Sequence, residues 1–145
     1  LELLLLFNDK IDLITDIEKI TFVENKIEIN RIFFNIFNNN KFLTDIFNKN
    51  INSISDFYYF LSSLKLYLDI IAETTNEESA LAKFPKYLFV EKDVFIKIYR
   101  KLNKEKLVKI YKTLFRAEIL TRKNSNLYLV IGLRFFLNLK KIITS

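Results

Sequence analysis

Neither cysteine nor histidine occurs among the 145 residues. The first absence rules out disulfide staples, thiolate metal sites and thiol nucleophiles, and the second removes the commonest general base and metal ligand. Catalysis would have to rest on carboxylates, Lys, Ser or Tyr. Glycine and proline occur once each, at Gly132 and Pro85. Hairpins and βα turns lean on those residues for their backbone angles, so an all-α chain is expected. With its lone Gly inside a helical pattern, the chain has no Gly-rich loop to cradle a nucleotide phosphate. Met is missing everywhere, position 1 included, which reads either as a piece of a longer protein or as a sequence with residues missing from it. Long hydrophobic runs are absent too. The best candidate, Leu127 to Leu139, is short and broken by Arg134, so neither a membrane span nor a signal peptide is expected and the cytoplasm is the default location.

What is present is charge, unevenly spread. Residues 1–80 hold seven Lys and Arg against thirteen Asp and Glu, net −6, whereas residues 81–145 hold sixteen against four, net +12. The overall +6 therefore hides two halves of opposite sign. Eighteen Lys against five Arg, with fifteen Asn, point to an AT-rich coding sequence, which weakens lysine abundance as a sign of function. A chain of this length forms one domain and buries roughly 68–70% of its unfolded surface.

Apolar spacing divides the chain into helices. Leu3 to Phe7 reads as the tail of a helix ended by Asn8-Asp9-Lys10, and Thr15 caps a short one through Ile20, with Glu18 completing a capping box. Ile29, Ile32, Phe33, Ile36 and Phe37 recur at helical spacing until the Asn38-Asn39-Asn40 run. A short helix with Phe42, Leu43, Ile46 and Phe47 inward follows. Ser53 or Ser55 then caps a long one through Ile71. Residues 73–79, ETTNEES, read as a polar loop closed by Pro85. Beyond it Val94, Phe95, Ile98, Tyr99 and Leu102 line one face. Asn103 separates that helix from the next, which runs from Lys104 to Lys123. Ser125 or Asn126 caps a last helix to about Ile143, whose polar stripe is only Arg134, Asn138 and Lys141.

Three constellations stand out. The first is a basic surface of Lys97, Arg100, Lys101, Lys109, Lys112 and Arg116, able to track a phosphate backbone, although Tyr99 and Tyr111 fall on apolar faces and favour packing over base stacking. The second is Glu118 with Arg122. At 100° per residue they lie about 20° and about 60° from Leu107, inside the apolar sector, where two charges persist only as a hydrogen-bonded ion pair. The third is the last helix, too apolar for the surface of a small monomer, so Tyr128, Leu129, Phe135 and Phe136 are candidates for a subunit interface. The carboxylate pairs Asp12/Asp16 and Glu77/Glu78 have no second catalytic group in sequence reach and read as solvated acids. No cofactor, metal, small-molecule substrate or membrane is expected.

Taken together these residues resemble the C-terminal part of the bacterial DNA polymerase III delta subunit, the clamp-loader wrench. The matching segments are PKYLFVEKDVFIKIYRKLN; KLVKIYKTLFRAEILTRK, with Ala117-Glu118 and Arg122; and the apolar NLYLVIGLRFFLNL. Upstream, LELLLLFNDKIDLITDIEKI is similar to the link from the family's lid subdomain. The resemblance implies a bundle of about five helices, the collar, over residues 24–145, preceded by a lid remnant over residues 1–23. It also implies a subunit of the DNA polymerase complex without an active site, held in a hetero-oligomer with the other clamp-loader subunits. DNA and the sliding clamp would be reached only through the whole complex. The alternative is an unrelated basic helical nucleic-acid-binding domain.

Overall fold

The structure, a computed structural model, describes the backbone of residues 2–37 and 42–145 and the side chains of residues 13–36 and 42–145. Among these residues there are seven α-helices and no strand, so the chain is an all-α bundle. The helices are α1 (Glu2–Phe37), α2 (Leu43–Asn50), α3 (Ile54–Glu73), α4 (Glu77–Lys83), α5 (Lys92–Lys101), α6 (Lys104–Lys123) and α7 (Tyr128–Thr144), with short 3-10 turns at Lys86–Glu91 and Ser125–Leu127.

The first helix departs from expectation. In place of three separate helical segments, Leu3 to Phe7, Thr15 to Ile20 and one carrying Ile29 to Phe37, α1 runs unbroken for 36 residues. Asn and Asp each cost only about 0.7 kcal/mol relative to Ala in a helix, and no Gly or Pro lies in this stretch to stop it. The Asn38–Asn40 break lies outside the described residues. ETTNEES is also more structured than expected. Asn76 Oδ1 accepts from Ser79 N at 2.8 Å, Glu77 and Glu78 sit in the positive first turn, and α4 forms with Ala80 buried.

α3 and α6 start at side-chain caps, whereas α7 does not: the expected Ser125 or Asn126 cap is absent, because residues 125–127 form a 3-10 turn that leads into α7 from Leu127. Ser53 and Asp56 make a reciprocal capping box, with each side chain accepting from the other's backbone N–H at 3.0–3.1 Å, and start α3. Asn103 Oδ1 accepts from Lys106 N at 2.9 Å and starts α6. In α2 Leu43 and Phe47 turn inward as expected, but Phe42 stays exposed because it precedes the helix rather than lying on its inner face.

Two aromatic clusters form the core. Phe33, Phe34, Tyr67, Phe84 and Phe95 join α1, α3 and α5, with Phe84 and Phe95 stacked at 4.5 Å. Phe47, Phe57, Phe60, Phe135 and Phe136 join α2, α3 and α7. Gly132 belongs to this second cluster for a steric reason. A Cβ there would lie 2.6 Å from Phe47 Cζ and 2.9 Å from Phe57 Cε2, so only Gly lets α7 approach this closely.

Tyr67 of the first cluster also takes part in a buried polar contact of α1 with α3. Tyr67 Oη donates to Asn30 Oδ1 at 2.6 Å, and Asn30 Nδ2 donates to Tyr59 Oη at 2.9 Å and Lys26 O at 2.8 Å. Every polar atom of the Asn30 amide is thereby engaged, which is what permits its burial.

Candidate interaction surface

The buried positions of α6 are Leu107, Ile110, Leu114, Ala117 and Thr121, spaced alternately by three and four. That is a 3.5-residue repeat, the seam of two helices packed side by side, and its partner is α7, which returns antiparallel with residues 130–138 beside residues 112–120. A 3.5 repeat drifts from a straight 3.6 helix by about 20° per heptad. Over the two heptads after Leu107 the seam therefore moves about 40° away from the sector in which Glu118 and Arg122 were placed.

Their expected ion pair is accordingly not formed. Glu118 is only half-buried, Arg122 is exposed, and among the described residues no salt bridge joins them. The inner position is held instead by Thr121, whose hydroxyl donates to Ala117 O at 2.8 Å and so tolerates complete burial.

All six residues of the expected basic surface are exposed, yet they do not act as one stripe. α5 packs on α1 and α4, whereas α6 packs on α3 and α7. Arg100 is committed to Glu77 through two hydrogen bonds, Nε to Oε1 at 2.7 Å and Nη2 to Oε2 at 2.8 Å, and these hold the Glu77 carboxyl below the usual range. Lys109 pairs with Glu105 at 2.6 Å and lowers that carboxyl in the same way. Lys97, Lys101, Lys112 and Arg116 carry no ion pair among the described residues.

The hydroxyls of the two tyrosines are both committed within the chain. Tyr99 Oη donates to Thr74 O at 3.1 Å, and Tyr111 Oη donates to Asp69 Oδ1. Burial first, and then the Asp69 contact, push the Tyr111 hydroxyl well above its ordinary value.

The expected interface residues on α7 also divide. Phe135 and Phe136 are 3% and 1% exposed, because α7 packs beneath α2 and α3 as well as α6, and their rings belong to the protein's own core. Tyr128 is half-buried and Leu129 exposed. The apolar surface that α7 leaves uncovered is carried by Val130 and Leu137, at 65% and 59% exposure, with Leu127 and Leu129 at its start.

Lys112 and Arg116 meet Arg134 of α7 across a groove of about 320 Å³. Its floor is apolar, built from Ala117, Leu120, Val130, Ile131 and Phe135, and no acidic residue lines it. Sequence reading passed over Arg134 as a mere interruption of an apolar run. The available signal was the i, i+4 pair Lys112/Arg116, with a third cation on the helix that folds back over it.

Of the carboxylate pairs, Asp16 lies 3.9 Å from Lys19 on the surface, Glu77 serves Arg100, and the Asp12 side chain lies outside the described residues. Among the described residues no group of three or more carboxylates is placed to hold a metal ion, and no helix is long and apolar enough to cross a membrane. Comparison with protein-family models, with curated proteins and with solved structures returns no match to the chain.

Proposed function

We propose that the chain is a non-catalytic assembly module, and in its finer form the collar of a bacterial clamp-loader delta subunit. In that form it acts in cytoplasmic DNA replication by binding the other clamp-loader subunits, and meets DNA and the sliding clamp only through the whole complex. The observation that carries this reading is the apolar surface left uncovered on α7, Val130 and Leu137 with Leu127 and Leu129 beside them. A last helix that is buried on one side and still apolar on the other needs a second protein surface. The order of helices supports the finer form; Glu118 and Arg122, no longer a buried pair, do not.

Two observations weigh against nucleic-acid binding through the basic stripe. Arg100 and Lys109 are neutralised by carboxylates of the same chain, and the nearby tyrosines are hydrogen-bonded. The test is co-purification of the chain with clamp-loader ATPase subunits at micromolar concentration, across a range of salt. A complex that persists at high salt is expected, since apolar contacts are not screened. Absence of a complex, together with DNA affinity that falls steeply with log salt, overturns the reading.

A further inference from the structure

The outer part of α1 carries a second uncovered apolar surface, and the receptor argued for it below shares Val130 with the uncovered surface of α7. Leu13, Ile17 and Ile20 follow one another at i, i+4 and i+7, and each is more than half exposed, as are Ile14, Phe22 and Val23. Helix-in-groove recognition uses this spacing of anchors. Residues 13–24 also hold three acids, Asp16, Glu18 and Glu24, against one lysine. Two such helices laid side by side would set like charges against each other. The favoured receptor is therefore cationic with an apolar floor.

The α6/α7 groove has both properties. Lys112, Arg116 and Arg134 rim it without an ion pair among the described residues, and Leu120, Val130 and Ile131 offer apolar floor. Because α1 is one continuous helix and residues 13–24 are exposed, this segment does not occupy the groove of its own chain. We propose that residues 13–24 of one copy dock into the α6/α7 groove of a second copy. The contact is head-to-tail, with two different surfaces, Leu13, Ile17 and Ile20 against the floor and Asp16 and Glu24, which flank or extend that stripe at 100° per residue, towards the cations.

A heterologous contact has a signature that a symmetric one lacks. By sedimentation velocity on the full chain through the micromolar range, the unmodified protein is expected to gain mass with concentration. Ile17→Asp, which spoils the docking helix, and Arg134→Glu, which reverses a groove charge, should each weaken association at least about tenfold. Each variant keeps one surface intact, so an equal mixture should form a 1:1 dimer that neither forms alone. Lys112→Glu serves as a second groove variant, and circular dichroism verifies that each remains helical. A wild-type chain that stays monomeric throughout overturns the proposal, as does a mixture that stays monomeric. Association lost with Ile17→Asp but untouched by both groove variants also overturns it, in favour of α1 pairing with α1.

Discussion

The two parts of α1 share one backbone and a similar density of apolar residues, yet meet opposite surroundings. Ile29, Ile32, Phe33, Phe34 and Ile36 are all within 1% of complete burial, while Leu13, Ile17, Ile20 and Val23 are 53–61% exposed. Helix propensity does not separate them; the difference is whether α2, α3 and α5 lie alongside. Apolar periodicity thus marks a face that wants cover without saying where the cover comes from. The comparison breaks most simply by truncation. Phe33→Ala should lower the unfolding free energy by about 3–5 kcal/mol, the range for large-to-small changes in a core. Ile17→Ala, sixteen positions earlier, should change that of the monomer by less than about 0.5 kcal/mol. Urea denaturation measures both, and a loss at Ile17 comparable to that at Phe33 would mean that the outer part is covered within one chain.

The same contrast holds on α7, between Gly132 and its neighbour Val130. Gly132→Leu should lower stability by about 2–3 kcal/mol, because even its Cβ meets two buried rings and their displacement outweighs the helix propensity gained. Val130→Ala, on the uncovered side, should leave the monomer nearly unchanged in the same denaturation series. A smaller effect belongs to the polar contact beneath α1. Asn30→Ala strands the Tyr67 hydroxyl without a partner in the core and should lower stability by about 1–3 kcal/mol. Tyr67→Phe in the Asn30→Ala background should recover part of that loss, since the stranded hydroxyl is then gone.

How far the sequence foretold this molecule depended on which physical signal each segment carried. α3 and α6 were legible end to end because Ser53, Asp56 and Asn103 are caps with a definite hydrogen-bonding job, and their apolar positions keep a helical period. α1 was misread because Asn and Asp look like stops, although their propensity cost is small enough for a long helix to absorb. The Glu118/Arg122 placement failed through accumulated angle: a 100° wheel anchored at Leu107 ignores the drift imposed by a 3.5-residue seam with α7. Phe135 and Phe136 were read as interface because helical spacing shows that a face is apolar, not how many neighbours share it. The α6/α7 groove was illegible for the same reason, since it exists only once two distant helices lie together. Asn30 did carry a signal, an amide inside the stripe Ile29-Ile32-Phe33, where burial requires partners.

Those partners allow the inner part of α1 to be probed separately from the outer part. Tyr67, which donates to Asn30, has its hydroxyl raised well above the ordinary 10.0, first by burial and then by the nearby Tyr87 and Tyr59. The unfolded chain releases this proton from about pH 10 upward, while the folded chain keeps it. The contribution to stability is therefore complete below pH 10 and is lost as pH rises above it. The loss is about 1.4 kcal/mol for each pH unit while the folded hydroxyl remains protonated. Tyr111 adds in the same direction, but less, being only half-buried. Residues 13–24 contain no Tyr, so the part of the alkaline slope that depends on Tyr67 reports on the covered part of α1. Tyr67→Phe should lower stability at neutral pH through the lost bond to Asn30 and yet flatten the decline between pH 10 and pH 11, measured by urea denaturation. An unchanged slope in that variant would show that Tyr67 is not sealed beneath α1, and the contrast between the two parts of the helix would shrink accordingly.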